Sequence, residues 1–246
     1  MRNATQLLAL KPERLDVGEF SRQPLSVSGL AFVADVSGAL YWPAESALIV
    51  ADLHLEKGSA FAARGIMLPP YDTSATLERL AATLDAYNAE TVICLGDSFH
   101  DNGADGRMAA EDRETLSILQ EDREWIWITG NHDTAIPECF GGHVLPELNV
   151  SGLTFRHEPT QGRVTHEIAG HLHPAARVSF HGHVIRRPCF VGNGNRLVLP
   201  AFGTYAGGLN VLDDAFAPVF GSDGVSVLVL GQEGLYPIAP RLLKED

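Results

Sequence analysis

Between residues 25 and 52 the chain alternates short apolar runs with turn formers: GLAFVADV, then SGALYW, then PAESALIVADLH. This pattern predicts two strands of a hairpin followed by a buried strand that ends at Asp52. In residues 72–88 the apolar positions Leu77, Leu80, Ala81 and Leu84 have helical spacing, with Asp72 or Thr73 as the expected N-cap. A strand, TVICLGD, is expected over residues 91–97, a helix over 108–123, and a strand, WIWITG, over 125–130. From residue 143 to 191 only short alternating segments follow, with a last strand in VSVLVLG. Strand–helix–strand in the first half and mostly strands in the second predict an α/β sandwich. No internal repeat or low-complexity tract interrupts it.

The chain has 246 residues, 45% of them hydrophobic, enough for one sheet-based domain with a filled core. No proline- or serine-rich linker divides it, so residues 25–246 are expected to form one domain after an N-terminal arm of residues 1–24. That arm has a short apolar patch, LLAL, followed by Lys11, Glu13 and Arg14, which is a poor secretory signal. No apolar run reaches the ~18 residues of a membrane helix. The expected location is the cytoplasm, with no membrane contact. Cys94, Cys139 and Cys189 lack the spacing of a thiolate metal site or a disulfide framework. A net charge of −13 is unhelpful for gripping nucleic acid, because duplex affinity rests on basic side chains.

Chemistry-bearing residues lie where the expected strands end. The first buried strand ends in Asp52-Leu53-His54, the next in Gly96-Asp97, and the third in Gly130-Asn131-His132-Asp133. Further along, LTFRH ends at His157 and THEIAG ends in Gly170-His171-Leu172-His173. Strand ends at one rim of a sheet can converge on a single site. Alternation along an extended segment puts Asp52 and His54 on one face, and likewise His171 and His173. Each piece alone is a weak signal; the ordered set is a strong one. Its oxygen and nitrogen donors, without thiolate, suit Mn²⁺, Fe²⁺ or Zn²⁺ better than Ca²⁺.

The ordered set D-x-H, G-D, G-N-H-D, H and G-H-x-H, spanning residues 52–173, resembles the calcineurin-like metallophosphoesterase superfamily. The resemblance implies a sandwich of two mixed β-sheets flanked by helices, and two divalent metal ions. One ion would be held by Asp52, His54 and His173, the other by Asn131, His157 and His171, with Asp97 bridging. Arg156 stands before His157 where relatives often have glycine, and His143 and His166 are its rivals as ligand. The implied reaction is hydrolysis of a phosphate ester, with His132 beside the leaving oxygen as general acid or charge stabiliser. Asp133 either orients the local loop or caps the next segment.

Gly96-Asp97-Ser98-Phe99-His100 has the G-D-x-F-H form found in a class of DNA-repair nucleases, which makes His100 a partner for His132. A finer likeness is to the bacterial ligase-associated DNA damage response endonucleases. It is carried by Trp42-Pro43-Ala44 and by residues 51–58, 68–73, 187–190 and 200–203. That likeness implies a Mn²⁺-dependent DNA nuclease or phosphodiesterase in bacterial DNA repair, linked functionally to an ATP-dependent DNA ligase and a helicase. Lys57, Arg64, Arg186 and Arg187 are candidates to meet substrate phosphates, although solvated surface charge is the commoner role of such residues. His181 and His183 lack the G-H-x-H arrangement and are expected either to support the ligands from behind or to be structural. A small-molecule or nucleotide phosphoesterase is the alternative, which the acidic charge suits better. A non-catalytic scaffold is the weakest reading, because no ligand position is broken. A homo-oligomer is compatible with the sequence.

Overall fold

In the computed structural model, residues 21–180, 183–221 and 223–246 are described. Seven of the apolar runs pair in chain order into one sheet: β1 (Arg22–Val27), β2 (Leu30–Asp35), β3 (Leu40–Trp42), β4 (Ala47–Val50), β5 (Thr91–Leu95), β6 (Glu124–Ile128) and β7 (His143–Leu145). The pairs from β1 to β4 are antiparallel; those from β4 to β7 are parallel. Parallel neighbours need long crossovers, and helices provide them. Helices α1 (Lys57–Ala63) and α2 (Asp72–Tyr87) join β4 to β5, and α3 (Ala110–Gln120) joins β5 to β6.

The second sheet contains β8 (Glu147–Val150), β9 (Leu153–Arg156), β10 (Glu167–Ala169), β11 (Pro174–Phe180), β12 (His183–Gly192), β13 (Arg196–Val198), β14 (Leu209–Asn210), β15 (Ser226–Leu230) and β16 (Leu235–Ile238). Its main path runs β14-β11-β12-β13-β10-β9-β8, with β15 and β16 leaving from β12. Both sheets mix parallel and antiparallel pairs, so the architecture is the α/β sandwich expected from the sequence.

Side-chain alternation explains the near-continuous apolar runs of β4, β5 and β6. Leu48, Val50, Val92, Cys94, Trp125 and Trp127 face the helices, packing with Leu77, Leu80, Leu84, Leu116 and Leu119. Their neighbours Ile49, Ile93, Leu95, Ile126 and Ile128 face the other sheet, against Phe155, Ile168, Phe190 and Leu197. Trp127 is fully buried, and its indole N–H donates to Gly141 O at 2.9 Å. Truncating it to alanine would cost about 3–5 kcal/mol. A third cluster covers the outer face of the second sheet, where Val178, Val191 and Val229 meet Phe216 and the short helix α4 (Ala217–Phe220).

The structure differs from the sequence reading in places. Residues 1–20 of the expected arm lie outside the described residues, and Arg22 already opens β1. Tyr71, not Asp72 or Thr73, occupies the N-cap position of α2. The two expected caps serve another purpose. Asp72 accepts the N–H of Gly58, and the Thr73 hydroxyl both accepts the N–H of Glu56 and donates to its carboxylate, docking α1 onto α2. Helix α1 itself, KGSAFAA, shows no apolar periodicity to announce it. Helix α3 is shorter than the predicted span at both ends.

Candidate metal centre

Strands β4, β5 and β6 are parallel, so their carboxyl ends open on the same rim, where loops can gather functional groups. Asp52 and His54 follow β4, Asp97 follows β5, and Asn131 and His132 follow β6. From the second sheet, parallel β9 and β10 deliver His157 and His171, with His173 just before β11.

Two clusters result. In the first, the ligand atoms of Asp52, His54 and His173 lie within 4.8 Å of one another. His54 Nε2 stands 3.2 Å from His173 Nε2, which is 3.2 Å from Asp52 Oδ1. The second joins Asp97, His157 and His171 over the same span. His157 Nε2 is 2.9 Å from Asn131 Oδ1, 3.1 Å from His171 Nδ1 and 3.4 Å from Asp97 Oδ2. Of the three candidate histidines for this place, His157 stands in the cluster, whereas His143 is exposed on β7 and His166 precedes β10 at the opposite end from His171.

Backbone carbonyls aim the imidazoles. His157 Nδ1 faces Leu95 O at 2.9 Å and His173 Nδ1 faces Gly207 O at 3.1 Å, which leaves each Nε2 for the cluster. Asp52 ties the clusters together, since both its oxygens accept the His171 N–H, at 3.0 and 3.2 Å. Asp97 Oδ1 accepts the N–H of His132 at 2.9 Å, leaving Oδ2 toward His157. No sequence signal marks Leu95 or Gly207 for this work, because their carbonyls act and not their side chains.

The expected sharing of a face by Asp52 and His54 holds, but not through extended alternation. Asp52, His54 and Glu56 all have positive φ (54°, 45° and 66°), as do Asp97 (46°), His171 (69°) and His173 (44°). Non-glycine residues in this region store about 1–3 kcal/mol each and persist only where the surroundings hold them. Close backbone approach explains two glycines. A Cβ on Gly130 would stand 2.2 Å from Asp97 Oδ1, and one on Gly96 would stand 2.5 Å from the His157 ring.

Asp133 resolves in favour of loop orientation. Its buried carboxylate accepts the N–H groups of Gly130, Asp97, Ser98 and Phe99 at 2.7–3.1 Å. Burial pushes this carboxyl up to about 6, against the pull of those donors. A third histidine group borders the first cluster: His54, His100 and His132. The rings of His100 and His132 stack at 5.2 Å, and His132 Nδ1 faces His100 O at 2.9 Å, so its Nε2 is free at the exposed rim.

The donor set fits divalent cations. Asp52 and Asp97 are buried, and among the described residues neither has a lysine or arginine partner; apart from backbone N–H groups their charges meet imidazoles. Buried carboxylates so placed call for a positive charge. Burial and the charge of His173 lower His54 to about 3, so it is a neutral donor. Burial also works to lower His157, but the hydrogen bond to Asp97 and the charges of Asp52 and Asp97 outweigh it and hold the ring near 9. Burial raises Asp97, but the hydrogen bond and charge of His157, the N–H of His132 and the charge of His54 together outweigh it and leave the carboxyl at about 2. His157 would have to give up that proton to serve as a donor to a cation, since imidazole binds metal in its neutral form.

The four candidate phosphate contacts divide between two sides. Lys57, half-buried at the start of α1, acts electrostatically on His54 and His100, and exposed Arg64 acts on His100. Arg186 and Arg187 line a cavity of about 250 Å³ that His173 also lines. His183 is exposed on β12, away from either cluster, and His181 lies outside the described residues.

Two solved structures and one family model resemble this chain. The Pseudomonas putida nuclease MPE has 29% sequence identity to this chain, covering 88% of it and 100% of that protein, with a TM-score of 0.70. Yfce, a phosphoesterase from E. coli, has 14% identity, covering 78% of this chain and 98% of its own, with a TM-score of 0.40. No curated protein matches the chain. Residues 46–199 match the family described as calcineurin-like phosphoesterase, a span that runs from just before β4 to the end of β13 and holds every residue of both clusters. With that match over most of its 246 residues, the chain belongs to the calcineurin-like phosphoesterase family and is a metal-dependent phosphoesterase.

Proposed function

We propose that the chain is a Mn²⁺-dependent phosphodiesterase that cleaves DNA, acting as a nuclease in bacterial DNA repair. The observation that carries this reading is the pair His100 and His132, stacked beside the Asp52–His54–His173 cluster. The leaving oxygen of a phosphodiester departs as an alkoxide, which needs a proton donor, and the His132 ring, with Nδ1 facing His100 O, has its Nε2 to offer. The likeness over its full length to a protein described as a nuclease supports the same substrate class.

In this reading Asp52, His54 and His173 would hold one ion and Asn131, His157 and His171 the other, with Asp97 as the ligand common to both. Divalent ions bound there would neutralise charge on the phosphoryl oxygens and make a nucleophile of water at neutral pH. His132 protonates the leaving oxygen, and its Nδ1 contact with His100 O holds the ring for that transfer. Burial first, then the charge of His132, lowers His100 below its ordinary value beside the exposed ring. Mn²⁺ suits the mixed oxygen and imidazole donors, with Fe²⁺ and Zn²⁺ as competitors. A working partnership with an ATP-dependent DNA ligase and a helicase belongs to the same proposal.

The net charge of −13 favours a second reading, a phosphoesterase of small molecules or nucleotides. One assay decides. Metal-free protein is reconstituted with Mn²⁺ and offered bis-p-nitrophenyl phosphate, the corresponding monoester, single-stranded DNA and duplex DNA. The nuclease reading expects the diester to be preferred and DNA to be cut. Preference for the monoester, or no action on any DNA, would overturn it. Turnover unchanged in Asp97→Asn would remove the shared-ligand assignment.

A further inference from the structure

Arginines 177 and 186 are directly opposed on the antiparallel pair β11 and β12. Like charges facing each other across a pair of strands are destabilising, and an anion between them relieves the cost. In a chain of net charge −13 such a pairing is unexpected. The chain supplies its own relief. Residues 243–246 run back along β11, with Lys244 N donating to Arg177 O at 2.8 Å. Arg177 then donates to the carbonyl of Glu245, and Arg186 Nη1 donates to both oxygens of Asp246, at 2.9 and 3.1 Å.

Arg186 also stands at the metal rim. It donates to Gly208 O, and Gly208 packs so closely on His173 that a Cβ there would lie 2.4 Å from His173 O. Arg186 and Arg187 share the cavity of about 250 Å³ with His173 and Gly207, whose carbonyl aims the His173 ring. A planar guanidinium matches a phosphate as it matches a carboxylate. The Asp246 carboxylate does not line the cavity; it occupies Nη1 of Arg186, and so shows that this guanidinium binds an anionic oxygen pair. With side chains 43% and 54% exposed, the Arg186–Asp246 pair is weak and readily displaced.

We propose that the cavity beside His173, with Arg186 at its wall, takes a backbone phosphate of the polynucleotide strand flanking the scissile bond, and that Asp246 is its displaceable competitor. The proposal rests on the polynucleotide reading above. It assigns the two sides of the centre different tasks: the His100–His132 side faces the leaving oxygen, and the His173 side grips the neighbouring strand.

Binding, not turnover, tests it. The full chain reconstituted with Mn²⁺ is titrated into a short fluorescein-labelled single strand with hydrolysis-resistant phosphorothioate linkages, and anisotropy is read at several salt concentrations. Arg186→Ala should raise Kd about tenfold and make the slope of log K against log salt shallower by about 0.7, the loss of one phosphate contact on a single strand. Asp246→Asn should lower Kd roughly two- to fivefold, because an exposed competing pair is gone. Arg163→Ala, at a guanidinium 89% exposed and outside both clusters, is the control for generic charge loss. An Arg186→Ala effect no larger than the control, or an Asp246→Asn variant that binds no better than wild type, overturns the proposal. Wild type that hydrolyses bis-p-nitrophenyl phosphate but binds no strand overturns the subsite and leaves the diesterase chemistry standing. Strand binding lost in Arg186→Ala, in a protein that cuts no DNA, keeps the subsite and overturns the nuclease reading.

Discussion

The carboxylate of Asp133 accepts the backbone N–H of Ser98 at 2.7 Å, fastening the loop after β6 to the loop after β5. Three further N–H groups, from Gly130, Asp97 and Phe99, use the same buried carboxylate. Asp97 and Asn131, one from each loop, are thus held in register by a residue that binds neither cluster. Asp133→Ala strands four N–H groups, each costing about 1–3 kcal/mol if water does not reach it. We expect a loss of about 3–5 kcal/mol in urea unfolding, together with a fall in the divalent metal the protein takes up. A change under about 1 kcal/mol with full metal content would show that the loops hold without it.

His132 is assigned the proton for the leaving oxygen, and leaving-group chemistry isolates that role. With p-nitrophenolate, which departs without a proton, His132→Ala should lose little more than a few-fold in kcat. With DNA, whose alkoxide needs one, the loss should be about 10²–10⁴. Metal content should not change, since His132 lies outside both proposed ligand sets. Equal losses on the two substrates would instead mark His132 as a general electrostatic or positioning residue.

The motif-bearing strand ends are readable from the sequence because β4, β5 and β6 are buried on both faces, so their apolar runs stop sharply at the polar residues that follow. His171 and His173 are legible for the related reason that β10 is a short, fully buried strand. The means of convergence are not legible. Asp52 and His54 meet His173 through positive-φ backbone, whereas their spacing suggests simple extended alternation. Helix α1 has little pattern of its own and is docked by Asp72 and Thr73, side chains that a local reading spends on a cap. The Arg186–Asp246 contact joins residues 60 positions apart, beyond any local signal.

Gly130 is required by space and not by dihedral. A methyl group there meets Asp97 Oδ1 at 2.2 Å, Asp97 N at 2.3 Å and Asp133 Oδ1 at 2.9 Å, with no flexible neighbour to yield. Gly130→Ala should therefore push the Asp97 and Asn131 loops apart, costing about 1–3 kcal/mol in stability. A displacement of about 1 Å at the reacting groups lowers turnover by about 10². A crystal structure of the variant with both loops in place, or turnover within twofold of wild type, would contradict this.

Tyr87 offers a pH test far from the metal centre. Its hydroxyl donates to Asp35 Oδ2 at 2.9 Å, and Arg22 lies 4.4 Å over its ring. Burial, then the Asp35 charge and hydrogen bond, push the phenol well above its ordinary value of 10.0. The folded protein thus holds this proton more tightly than the unfolded chain does. Its contribution to stability is intact below about pH 10 and is lost as pH rises toward the folded value. Tyr87→Phe should be less stable than wild type at pH 7 by about 0.5–1.5 kcal/mol, the net value of the hydrogen bond. Above about pH 10 wild type loses stability that the variant no longer has, so the gap between their urea midpoints should narrow. A gap that stays constant or widens from pH 7 to 11 would mean that Tyr87 does not titrate as the Asp35 contact requires.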